Sequence, residues 1–162
     1  MKAIKCWKYG SHKNLSLTEV EKPTQKENEV LIKIRATSVT ASDVLIRRLD
    51  EPFIPRFILQ LIFGFGSPRN PVLGMVSSGV VDAKGKNVSS FYVGYLVFAF
   101  GLASPTKRHF GSYAEYICPH EDWNIARKPM NTSFEETAAI PYGGLLASHL
   151  LKKTSINKGD KV

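Results

Sequence analysis

The chain has 162 residues, 43% of them apolar, enough for one hydrophobic core and too few for two large ones. Its formal net charge of +8 could signal a nucleic-acid surface, but Arg47-Arg48, Lys107-Arg108 and Lys152-Lys153 are isolated pairs without a basic stripe, so no nucleic-acid partner is expected. Cys6 and Cys118 are far apart, which argues against a disulfide framework or a cysteine-rich zinc lobe, and a reducing, cytoplasmic setting is the default.

In chain order, residues 3–7, 15–20 and 30–36 alternate polar and apolar side chains and predict strands, with Pro23 and Asn28 in the turns. The first of them lacks the continuous apolar run of a secretion signal. Thr40-Ala41-Ser42-Asp43 then sets a hydroxyl three residues ahead of a carboxylate, before Val44, Leu45 and Ile46, and predicts a capped helix over residues 42–49. Pro52 and Pro55 predict its end, and an apolar helix over residues 56–63 follows until Gly64 and Gly66 break the pattern. The apolar stretch from Phe53 to Phe65 is interrupted by Pro55, Arg56 and Gln60 and is shorter than the roughly 20 residues of a span, so no membrane partner is expected.

Residues 72–76, 79–81, 95–100, 112–117 and 123–126 predict further short strands, with turns at Lys84-Gly85-Lys86-Asn87 and Ser104-Pro105. That spacing suits a curled sheet or barrel. Ser133 ahead of Phe134-Glu135-Glu136 is an N-cap signature, and helices are expected over residues 134–139 and 142–153.

Four segments in this order, Gly111-Ser112-Tyr113-Ala114-Glu115-Tyr116, Phe134-Glu135-Glu136, Pro141-Tyr142-Gly143-Gly144 and Lys158-Gly159-Asp160-Lys161-Val162, resemble the medium-chain dehydrogenase/reductase superfamily, in its zinc-independent quinone-oxidoreductase-like branch. Ser38-Val39-Thr40 leading to Asp43 and Arg47, then Pro71, Leu73-Gly74 and Gly79, follow the same pattern. Met75 and Val76 stand where many members carry an acid, and Leu145-Leu146 replaces a Thr-bearing segment. The resemblance implies a mainly β fold with helices (α+β). A GroES-like curled β-barrel would fill residues 1–126, and residues 127–162 would form a helical connection and the first-strand start of a Rossmann domain that the chain does not contain. It implies an NADPH-dependent oxidoreductase, homodimeric when complete, that reduces quinones or conjugated carbonyls by hydride transfer, with this stretch inactive alone. A stand-alone GroES-like binding module without chemistry is the alternative.

Hydride transfer without a metal requires the fold to hold a nicotinamide ring against an electron-poor acceptor in a dry cleft. By the resemblance, Thr40, Asp43 and Arg47 are the catalytic candidates, and Thr40, Tyr142, Gly143, Gly144 and Leu146 would lie beside the cofactor. Plainer readings stand next to these. Thr40 also suits an N-cap that bonds the Asp43 amide, and Gly143-Gly144 suits a turn after Pro141. Asp43 and Arg47 suit a surface ion pair worth about 0.2–0.5 kcal/mol. Phe57, Phe63, Phe65 and Met75 are the substrate-pocket candidates, while core packing or a helix–helix seam would equally use the aromatics.

No Gly-rich strand-to-helix turn is present, because Pro68 and Arg69 follow Gly64-Phe65-Gly66, so the main NADPH site is expected downstream. Metal ligation is not expected either. Thr40 and Met75-Val76 stand where the metal-dependent branch places its ligands, and His12, His109, His120 and His149 never fall into ligand spacing.

Overall fold

The computed structural model describes residues 1–101 and 111–154. The Ser104-Pro105 turn, the Lys107-Arg108 pair, His109 and the Lys158–Val162 segment of the sequence reading lie outside the described residues. β1 (Lys2–Cys6) and β2 (Leu15–Glu19) form an antiparallel hairpin, with Lys2 opposite Glu19 and Cys6 opposite Leu15. The main sheet is antiparallel and five-stranded, in the order β6-β3-β4-β5-β7, built from β3 (Val30–Thr37), β4 (Val76–Lys84), β5 (Leu96–Phe100), β6 (Tyr116–Ile117) and β7 (Asn124–Arg127). Register shifts in β3 at Leu31/Ile32 and Ile34/Ala36 bend the sheet. Among the described residues β6 and β7 remain edges, so the ladder is curled but not closed into a barrel.

Among the described residues three α-helices pack around the strands: α1 (Ala41–Arg48), α2 (Phe53–Phe63) and α3 (Phe134–Lys153). One core cluster joins Val30, Ile32, Val81, Val88 and Val97 inside the sheet. A second joins Cys6, Tyr9, Ile46, Leu49, Phe63 and Leu73 beneath α1 and α2. A third, Met75, Val76 and Phe100, receives Tyr142 from α3.

Four elements differ from the sequence reading. The strands expected at 72–76 and 79–81 are one strand, β4, with Val72 outside it in a single bridge to Lys5. β4 runs on through Ser77 and Ser78 into Gly79. A Cβ there would stand 2.2 Å from the Lys33 carbonyl oxygen, so the glycine lets β3 approach across the ladder. The strand expected over 112–117 contracts to Tyr116–Ile117. α2 starts at Phe53, because Pro55 occupies the first turn, where backbone N–H groups have no helical acceptor. The helices expected on either side of Pro141 are one continuous α3, held at its start by the Ser133–Glu136 capping box and by Ser78 Oγ donating to the Phe134 carbonyl at 2.5 Å.

Candidate functional site

The end of β3 delivers the chain to α1 through an extended residue, Thr40, whose φ of −103° and ψ of 165° suit an N-cap. Its hydroxyl accepts from the Asp43 amide at 3.4 Å, and its own amide donates to Asp43 Oδ2 at 2.8 Å. Thr40 Oγ1 also donates to Asp43 Oδ2 at 2.6 Å. Thr40 is 8% and Asp43 3% exposed, so the capping box is dry and its carboxylate sits in the positive field of the helix start. The Thr40 proton is thereby committed. The structure shows the N-cap geometry of Thr40, with its hydroxyl bonded to Asp43.

Asp43 and Arg47 do not pair. Arg47 Nη1 donates to the Gly10 carbonyl, and the Gly10 amide returns a bond to the Arg47 carbonyl at 2.8 Å, so the arginine fastens the β1–β2 loop to α1. On its other side Asp43 faces Tyr113, a residue the sequence reading did not single out for the site. Burial pushes the Tyr113 phenol upward, and the neighbouring Asp43 charge pushes it further, which keeps the phenol neutral. Asp43 Oδ1 and the Tyr113 hydroxyl are both buried without a well-formed hydrogen bond. Asp43, Arg47 and Tyr113, with Thr37, also line a mainly apolar hollow of about 210 Å³ whose walls include Ile4, Leu15 and Val44.

One turn into α1, Ser42 meets the last element of the site. Its hydroxyl lies 3.0 Å from the Tyr142 hydroxyl, bridging 100 positions of sequence, and both side chains are half-buried. The Tyr142 ring packs edge-on against Phe100, with centroids 6.4 Å apart, on the cluster that contains buried Met75. Two hydroxyls in contact use one proton between them, so one O–H remains for a third oxygen. Ser42 was legible only as part of a helix start. Nothing in the sequence tied it to residue 142.

The other candidates divide. Gly143, Gly144 and Leu146 lie on exposed turns of α3 rather than in a loop, and a Cβ at Gly143 would meet nothing within 4 Å. Phe63, 7% exposed, packs in the second core cluster. Phe57 and Phe65 meet edge-to-face at 6.0 Å and are exposed, beside α2 instead of beside Met75. Among the described residues, no three His, Cys, Asp or Glu side chains gather where one ion could hold them.

Residues 26–130 match the sequence pattern of the alcohol dehydrogenase GroES-like domain. The chain is 33% identical over 145 residues to the quinone oxidoreductase of Sus scrofa, covering 88% of this chain and 38% of that protein. Among solved structures, the quinone oxidoreductase of Coxiella burnetii superposes with a TM-score of 0.80 at 30% identity, over 99% of this chain and 47% of that one. The Escherichia coli quinone oxidoreductase, solved in complex with NADPH, superposes with a TM-score of 0.74 at 25% identity, over 94% of this chain and 41% of that one. The chain thus spans less than half the length of these proteins. With more than half its residues inside the match, it belongs to the alcohol dehydrogenase GroES-like domain family of the medium-chain dehydrogenase/reductase superfamily.

Proposed function

We propose that the complete protein is a zinc-independent, NADPH-dependent oxidoreductase acting on quinones or conjugated carbonyls, and that this chain forms the substrate-side wall of its cleft. The observation that carries the reading is the Ser42–Tyr142 pair, which holds one uncommitted O–H at a half-buried place floored by Met75 and Phe100. A donor fixed there suits a carbonyl oxygen that gains charge as the acceptor is reduced. Thr40 and Asp43 act one step back, fixing the first turn of α1 and with it Ser42. When bound, NADPH supplies the hydride. Tyr142, Gly143 and Leu146 offer it one side of α3, where Gly143 leaves the helix surface open, while Gly144 turns to the far side, where a Cβ would stand 3.1 Å from Ile140.

In this reading residues 1–126 are the catalytic domain, residues 127–162 lead into a cofactor domain, and the complete enzyme is a cytoplasmic homodimer. Zinc has no place in it, because the Thr40 and Asp43 oxygens bond one another and Met75 and Val76 supply neither thiolate nor imidazole. The test is to express the protein with its natural downstream sequence and follow NADPH consumption over a panel of quinones and enones, with and without a chelator. The expected result is turnover of at least one acceptor, undiminished by chelation, and none by residues 1–162 alone. Binding of NADPH without turnover of any acceptor would leave the GroES-like binding module as the better reading. Loss of turnover on chelation would overturn the metal-free chemistry.

A further inference from the structure

α2 has its amphipathic pattern turned outward. Phe53, Ile54, Phe57, Ile58, Leu61 and Ile62 recur at helical spacing and, at 3.6 residues per turn, form one stripe covering about half the circumference. All six are exposed, Phe53 at 84% and Ile54 at 71%. Among the described residues, the core holds the helix from the opposite side, through buried Phe63 and partly buried Leu59. An apolar stripe of this size on a solvent-facing helix marks a contact surface.

The chemistry beside the stripe indicates which contact. A basin of about 590 Å³ opens next to α2, lined by His12, Arg47, Arg48 and Arg56 against the single carboxylate of Asp50. Arg56 also lines the adjoining hollow with Phe53, Phe57 and Glu51, so the cationic basin and the apolar stripe are continuous. Arg48 is offset by Asp50 at 2.8 Å, whereas Arg56 is exposed and has no ion-pair partner among the described residues. We propose that α2 lies in the plane of an anionic phospholipid bilayer, with its stripe at the headgroup–acyl boundary and the arginine basin against lipid phosphates. An 11-residue helix cannot span, but lying flat requires no span. The arginines of the basin favour an anionic surface and disfavour a second copy packed on the same face, which would bring the same cations together. α3, along which the chain leaves the sheet, packs on the Met75, Val76 and Phe100 cluster, whereas α2 sits on the cluster of Cys6, Ile46, Leu49 and Leu73. The proposal is independent of the reductase reading, because its readout is binding and not turnover.

The test is co-sedimentation of the protein, with its natural downstream sequence, on vesicles of phosphatidylcholine alone and of equal parts phosphatidylcholine and phosphatidylglycerol. The expected result is binding to the anionic vesicles, weakened by salt, with little binding to the neutral ones. Arg56→Glu should weaken it about ten- to thirty-fold, from two charge units at the surface. Phe53→Ser with Ile54→Ser should weaken it about ten-fold or more while leaving the circular dichroism spectrum unchanged. Absence of binding to anionic vesicles would overturn the proposal. So would a dimer in solution that the same substitutions dissolve, or protection of α2 from aqueous labelling in vesicle-free protein.

Discussion

α1 and α2 are neighbours in sequence and share one core cluster, yet they invert each other's chemistry. α1 buries a carboxylate, closes its start with a capping box and places Arg47 and Arg48 in its last turn. α2 has no side-chain cap, no acid in its first turn and no cation in its last, and it turns aromatics to solvent. Propensity explains neither choice. A buried Asp43 is tolerable because Thr40 satisfies it twice, and that bonding fixes the backbone that presents Ser42. None of the stripe's six side chains joins a core cluster among the described residues. What the pair teaches is that a polar group inside and an apolar face outside are the two departures from ordinary burial that point to function.

The sharpest way to break the comparison is Phe63→Ala. If α2 hangs on the core by this side chain and Leu59, urea unfolding should show a loss of about 3–5 kcal/mol, and a loss below about 1 kcal/mol would mean the helix is held elsewhere. Asp43→Ala strips the partner from the Thr40 amide and hydroxyl and should cost about 2–3 kcal/mol by the same measurement, with Asp43→Asn recovering part of it. Phe53→Ser with Ile54→Ser should stay within about 0.5 kcal/mol per substitution, since both side chains already face water.

A pH series tests the burial around both helices and has no effect at neutral pH. Burial pushes the Tyr9 phenol up to about 12 and raises Tyr113 as well. An unfolded tyrosine ionises near pH 10, so the folded state holds these protons more tightly. Their stabilisation is full below about pH 10 and is lost as the pH climbs through the folded values. The Cys6 and Cys118 thiols, also raised by burial, add to the same alkaline slope. Tyr9→Phe combined with Tyr113→Phe should flatten the decline in unfolding free energy above about pH 10, and an unchanged slope would show that these phenols are not buried in solution.

Much of this arrangement is legible in the residues. Alternation locates β1 to β3, and the Thr40–Asp43 spacing announces the cap of α1 three residues ahead of its carboxylate. Two of the differences come from reading Pro as a break. Pro55 and Pro141 are carried within helices, while β4 runs on through Ser77 and Ser78, where no strand was expected. The site was half legible. The Thr40–Asp43 spacing is readable as a cap, and the structure adds the Thr40 Oγ1 bond to Asp43 Oδ2 and the Ser42–Tyr142 contact. A bond across 100 positions leaves no local pattern in the sequence.

That contact is open to one direct measurement: the kcat of the protein, with its natural downstream sequence, for quinone or enone reduction in Ser42→Ala, Tyr142→Phe and the double variant. Either single change leaves one O–H in place and should preserve most of the rate, whereas the double change should lower kcat by about 10²–10³-fold, the effect of losing a fixed donor to developing charge. A double variant as fast as the parent would contradict the assignment of the site.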